Sequence, residues 1–198
     1  MRVTGVIQAG GKSTRMGGQP KALLPLGGRR IIERAIDAVA PAVDDLLIVT
    51  NTPGLYAFLG LPMVPDVYPD SGSLGGIYSG LKAATGDSAL TVACDMPFLD
   101  PDVARRLVAR AGEADVVVPR LGDQLQTLHA VYAKTCLPHI EARLLAGQFK
   151  VVGFFDDVRV IEVHATELCH DRDPAVVFMN VNTPEELEHA RRLVAEVD

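Results

Sequence analysis

The residues whose types and spacing could do chemistry cluster first between Gly10 and Lys21. Val6 to Leu24 reads VIQAGGKSTRMGGQPKALL: an apolar run, an adjacent glycine pair, then Lys12, Ser13, Thr14, Arg15 and Lys21. Glycine carries no side chain, so the backbone N–H groups of such a turn can face phosphate oxygens. Lys12, Arg15 and Lys21 place three cations within ten residues, where a triphosphate would need them. The same pattern also describes a tight strand-to-helix turn with solvated cations. The loop alone leaves both readings open.

Two better-known loops are excluded by counting. An ATPase phosphate loop needs G-x-x-x-x-G-K-[ST]. Counting back from Gly11-Lys12-Ser13, the first glycine falls at Val6, and Gly5 is one residue early, within the apolar run. The dinucleotide fingerprint G-x-G-x-x-G also fails, because Gly10 and Gly11 are adjacent and Gly17 lies too far on.

The elements that must position this loop alternate between strand and helix. Apolar runs at Val3–Gln8, Leu46–Asn51, 88–95 and 114–119 predict strands buried on both faces. LPMVPD, LQTLHAVYA, RVIEVH and VFMNVN are shorter or weaker strand candidates. Between them, apolar residues at 31, 32, 35, 36 and 39 have helical spacing. SGSLGGIYSGLKAATG passes from a glycine-rich loop into a helix, Asp100-Pro101 opens another, and a helix is expected over 135–146. Thr183 and Glu186 form a capping box for the last. This alternation predicts a single-domain α/β protein over 1–198, with a mostly parallel Rossmann-like sheet covered by helices on both faces. Such sheets carry their sites where strands end. The polar strand ends are Gln8 to Gly11, Asn51, Asp66, Asp95 and Asn180 to Asn182. Alternation puts Asn180 and Asn182 on one side of the last strand.

Bulk properties narrow the class. A net charge of -6 argues against a general nucleic-acid binder. No apolar stretch approaches membrane-span length, and the N-terminus enters a strand without a signal-peptide layout, so a cytoplasmic protein is expected. Cys94, Cys136 and Cys169 are odd in number and never form a CxxC pair, which predicts reduced thiols rather than a disulfide framework or structural zinc.

Taken in order, QAGGKSTRMGG, PKALLPLGG, VTN, VPDVYPDSGSLGGIYSGL, VACDMPFL and VNTPEEL resemble the molybdenum cofactor guanylyltransferase family of nucleotidyltransferases. The resemblance runs from Val3 to the last helix. It implies a nucleotide-diphospho-sugar-transferase-like fold and transfer of GMP from GTP to the phosphate of molybdopterin, with pyrophosphate leaving. By the same resemblance Gln8, Ala9, Gly10 and Gly11 form the nucleotide turn, Asn51 and Asp66 line the base and ribose side, and Lys21 and Arg15 neutralise phosphate. Asp95 is the implied Mg2+ ligand: a carboxylate ending an apolar strand is costly unless a metal or cation answers it. Asn180 and Asn182 would face the pterin or the metal, with Gln126, Thr127 and His129 near the acceptor, although His129 also suits a packed core. Contact with molybdoenzyme maturation proteins is implied as well.

The match has two departures. Gln8 stands where the family usually has an apolar residue, and Pro20 where it often has an acidic one. The latter makes GQPK closer to the sister enzymes that transfer CMP. Those usually read AAG where this chain has Ala9-Gly10-Gly11, and hydrogen in place of a methyl at Gly10 leaves room for a purine, which favours guanine. A cytidylyltransferase acting on molybdopterin or on a sugar or polyol phosphate is the alternative. A catalytically inert nucleotide-binding module is a third, which retention of Asp95, Lys21 and Arg15 opposes.

Overall fold

The structure, a computed structural model, describes residues 1–10 and 20–195 of the 198. Its strands are β1 (Val3–Gln8), β2 (Pro25–Leu26), β3 (Arg29–Arg30), β4 (Asp45–Val49), β5 (Met63–Val64), β6 (Ser88–Ala93), β7 (Val116–Leu121), β8 (Gln124–Leu125), β9 (His129–Ala133) and β10 (Val160–His164). The helices are α1 (Ile31–Val39), α2 (Gly72–Ala83), α3 (Pro101–Ala109), α4 (Leu137–Leu145), α5 (Ala165–Cys169), α6 (Pro174–Val177) and α7 (Pro184–Ala195).

The main sheet has the order β10-β7-β9-β6-β1-β4-β5, with β8 paired to β7. Strand β1 lies between β6 and β4 and runs parallel to both. Along that order β9 is the strand that runs against its neighbours, antiparallel to β6 and β7. The expected mostly parallel α/β sheet is therefore present, with one reversal.

Residue alternation along β1 divides the interior between the two faces. Val3 and Ile7 pack with residues of α1, α3 and α5. Val6 packs on the other face with Leu74, Ile77 and Leu81 of α2 and Ile140 and Leu144 of α4. A smaller core joins α7 and Val181 to β2 and the start of α1, where Val181, Leu187, Ala190 and Val194 meet Leu26 and Ile31.

Cap chemistry matches the sequence. The Asp100 carboxylate accepts from the N–H groups of Asp102 (2.7 Å) and Val103 (3.2 Å). Asp173-Pro174 repeats that device at α6, where Asp173 accepts from Ala175 N–H at 2.9 Å. The capping box of α7 is complete: Glu186 accepts from Thr183 N–H, and Glu186 N–H donates to Thr183 Oγ1.

One expected element is corrected. VFMNVN is not a strand: α6 ends on its first residue, Val177, and 179–182 is irregular. Both edges of β6 are already taken, by β1 and β9. The segment instead reaches that region through a backbone bond from Val181 N–H to Asp95 O at 2.9 Å. Asn180 and Asn182 thus flank a buried Val181 in a loop and do not share the face of a strand.

Candidate active site

The C-terminal ends of β1, β4 and β6 open into a cleft of about 780 Å³, closed on one side by the start of α2. This is the position at which parallel sheets carry ligands. Gln8, Ala9 and Gly10 line it from β1, Asn51 follows β4, Asp66 follows β5, and Cys94 and Asp95 follow β6. Lys21 enters from the start of a short 3-10 helix, Lys21–Leu23. Gly11, Lys12 and Arg15 lie outside the described residues.

At one end of the cleft Lys21 Nζ donates to Asn182 Oδ1 at 2.7 Å and to Asp95 Oδ2 at 3.3 Å. The Lys21 and Asp95 side chains are 22% and 19% exposed, so the pair is largely shielded yet open to a ligand. At the other end Asn51 and Asp66 form a reciprocal pair: Asn51 Nδ2 donates to Asp66 Oδ2 (2.8 Å) and Asp66 N–H donates to Asn51 Oδ1 (2.9 Å). Burial raises the Asp66 carboxyl pKa, against the opposing pull of the Asn51 hydrogen bond. An amide and a carboxylate so fixed present acceptors to ring N–H, exocyclic amine or ribose hydroxyl donors.

The cleft gathers seven sequence-predicted residues: Gln8, Ala9, Gly10, Lys21, Asn51, Asp66 and Asp95. Asn182 joins them through Lys21. Asn180 is half-buried beside Val181 and does not line the cleft. Sequence reasoning missed Asp70, which also lines it. Asp70 has φ +60, in the turn that starts α2, and only the turn-forming PDSG run hints at it. Cys94 lines the cleft too, but burial pushes its thiol up to about 12, so it stays protonated.

The fit of a divalent ion rests on the donor set. Asp95 offers a hard carboxylate with a cation already beside it. Among the described residues no group of three or more His, Cys, Asp or Glu side chains could hold a metal. A single hard carboxylate suits magnesium, which typically takes one or two and completes its shell with phosphate and water.

His129 is a core residue. It is fully buried, its ring lies 5.2 Å from that of Phe178, and neither ring nitrogen has a hydrogen-bond partner among the described residues. Burial lowers its pKa from 6.5 to about 4, partly opposed by Asp100. The folded value lies below the unfolded one, so this contribution to stability is full above pH 6.5 and is lost as pH falls towards 4. At about 1.4 kcal/mol per unit, a cost of up to ~3 kcal/mol accumulates across that window. His129→Leu is expected to flatten the melting temperature between pH 6.5 and 4, where wild type declines. The lowered carboxyls of Asp45 and Asp115 act below that window, whereas Glu141, lowered from 4.5, and Asp66, raised from 3.8, act in its lower part. The His129 contribution is therefore read as the difference between wild type and His129→Leu over the same thermal-melt pH series. An unchanged decline in His129→Leu would remove the assignment.

Comparison with known proteins gives the family and the fold. Residues 5–160 match the model of the MobA-like NTP transferase domain. A probable molybdenum cofactor guanylyltransferase of Pelotomaculum thermopropionicum is 42% identical over 96% of this chain and 93% of its own length. The molybdenum cofactor guanylyltransferase of Desulfosudis oleivorans is 38% identical over 97% and 96%. The crystal structure of molybdopterin-guanine dinucleotide biosynthesis protein A from Archaeoglobus fulgidus superposes with a TM-score of 0.84 at 24% identity, over 98% of this chain and 99% of that one. No helix among the described residues is long and apolar enough to cross a membrane. The chain belongs to the molybdenum cofactor guanylyltransferase family of MobA-like nucleotidyltransferases.

Proposed function

We propose that this protein transfers GMP from GTP to the terminal phosphate of molybdopterin, and that the cleft at the strand ends is where it does so. The observation that carries the reading is the joint placement of Lys21, Asp95 and Asn182 at one end and the Asn51–Asp66 pair at the other. One end is suited to phosphate, the other to a base or ribose.

In the reaction an acceptor phosphate oxygen bonds to the α-phosphorus of GTP. The bond from that phosphorus to the oxygen bridging the α- and β-phosphates breaks, and pyrophosphate leaves with the electron pair. The nucleophile is already an anion at neutral pH, so no side chain has to remove a proton. The barrier lies in bringing two anions together, and positioning and charge are the remedies.

Lys21 supplies a compact cation to the phosphates, and Arg15 a guanidinium fork. Gly10 leaves the strand end bare enough for a purine to lie against the backbone. Asn51 and Asp66 hold the nucleoside. Asp95 would hold magnesium, which when bound supplies positive charge to the triphosphate. Delivery of the product to molybdoenzyme maturation proteins follows from the same family reading.

The experiment is a direct assay for the guanine dinucleotide product and pyrophosphate with purified protein, GTP, molybdopterin and Mg2+. Thermal shift separates the nucleotides: a ligand at about 100 times its Kd adds ~2.7 kcal/mol. GTP with Mg2+ is expected to raise the melting temperature and CTP to leave it nearly unmoved. Stabilisation by CTP alone would replace this reading with the cytidylyltransferase.

A further inference from the structure

Lys21 makes its shorter bond with an amide, not with a carboxylate: 2.7 Å to Asn182 Oδ1 against 3.3 Å to Asp95 Oδ2. An ammonium has three donors. These two bonds orient the head group and, among the described residues, leave one N–H for a ligand oxygen. Lysine is a long, flexible side chain, and ordering it on ligand binding costs affinity unless it is ordered beforehand.

Asn182 is itself held from both sides. Its N–H donates to Glu186 Oε2 at 2.6 Å, and the neighbouring Thr183 N–H donates to the same oxygen at 2.9 Å. On the other side Val181 N–H donates to Asp95 O at 2.9 Å, while the Val181 side chain is fully buried against Leu26, Leu187 and Ala190. The cap of α7 thus does more than satisfy the start of a helix. It fixes the backbone of the residue that grips the lysine.

We infer that Asn182 is a positioning residue for Lys21, locked in place by Glu186, so that the C-terminal helix sets the nucleotide affinity of a cleft it does not line. The inference rests on the reading above that Lys21 meets the phosphates of GTP. It differs from a role for Asn182 in holding the pterin, because it acts on the other substrate.

The test is GTP binding by titration calorimetry in Mg2+, with KM for each substrate and a melting curve, on Asn182→Ala, Glu186→Ala, Glu186→Gln, Lys21→Ala and the Lys21→Ala/Asn182→Ala double variant. Losing a hydrogen bond to a charged group is expected to weaken GTP binding about tenfold in Asn182→Ala, with the molybdopterin KM unchanged. Glu186→Ala is expected to weaken GTP binding several-fold. Glu186→Gln, which keeps an acceptor oxygen, should recover most of it. In the Lys21→Ala background Asn182→Ala should have no further effect on GTP. A purely structural cap would lower the melting temperature in Glu186→Ala and leave GTP affinity at 25 °C unmoved. That result, or a raised molybdopterin KM in Asn182→Ala with GTP affinity intact, overturns the positioning role. If instead Lys21→Ala binds GTP normally, the assignment of Lys21 to the phosphates fails first, and the two failures are told apart.

Discussion

Asp95→Asn is expected to lower kcat for pyrophosphate release from GTP and molybdopterin by about 10³-fold, the scale for removing one preorganised electrostatic group. The substitution keeps size and an acceptor oxygen, so the new carboxamide can still receive a hydrogen bond from Lys21. The melting temperature should change by little, because the carboxamide is isosteric with the carboxylate and keeps the acceptor for Lys21. These properties separate two roles. If Asp95 served only as the counter-ion of Lys21, the amide would replace it and kcat would fall less than tenfold. If it anchors a divalent ion, the loss is large, and the Mg2+-dependent part of GTP stabilisation disappears as well. Thermal shift with GTP, with and without Mg2+, reads that second property without needing turnover. A kcat within tenfold of wild type, with Mg2+-dependent stabilisation intact, removes Asp95 from the metal role.

Much of this site could be read in the sequence, for a specific reason. Runs such as VTGVIQ and SALTVA are apolar on both faces, so they demand a covered parallel sheet, and a covered parallel sheet puts its polar residues at strand ends. Gln8, Asn51, Asp66 and Asp95 follow from that constraint before any side chain is placed. The reversal at β9 was not read from the sequence, and it follows only once the strand ends are known. Only seven residues separate Leu121 from His129, too few for a crossover to a parallel neighbour, so the connection has to be a hairpin. The segment 178–182 was not legible. Phe178, Met179 and Val181 give it the composition of a strand, but their burial comes from elsewhere: Phe178 lies against His129, and Val181 enters the α7 core. Whether an apolar run pairs depends on a free sheet edge, and β6 has none. Asp70 was hidden for a different reason, since its place in the cleft follows from a backbone turn at φ +60 and not from its spacing to any other site residue.

Two glycines of α2 are expected to respond to one substitution in opposite ways. The helix lies close to β1 because Gly76 and Gly80 present no side chain to the strand. A methyl on Gly80 would lie 2.3 Å from Val6 Cγ1, while one on Gly76 would lie 2.4 Å from Gln8 Oε1. Val6 is fully buried, β-branched and hydrogen-bonded between two strands, so it has nowhere to go. Overpacking there costs about 1–3 kcal/mol. The gain from alanine over glycine in a helix, about 1 kcal/mol, offsets only the lower end of that range, and a rigid buried neighbour puts Gly80 above it. Gly80→Ala is therefore expected to melt several degrees lower, at about 2–4 °C per kcal/mol for a chain of this size. Gln8 is different: its carboxamide is the end of a flexible chain at the cleft wall, tied among the described residues by one long bond of 3.4 Å to Ser73 O. In Gly76→Ala it can swing outward, and the helix-propensity gain then keeps the melting temperature within about 2 °C of wild type. The cost appears in function instead, because the displaced carboxamide enters the space beside Gly10. GTP binding should weaken about tenfold, a loss of ~1.4 kcal/mol. The Gln8→Ala/Gly76→Ala double variant should regain it, since the obstructing group is gone. Melting curves and GTP titrations on the three variants decide the matter: equal losses of stability at Gly76 and Gly80 would mean that Gln8 is fixed in the wall, and that the bare strand end, not its side chain, shapes the nucleotide's seat.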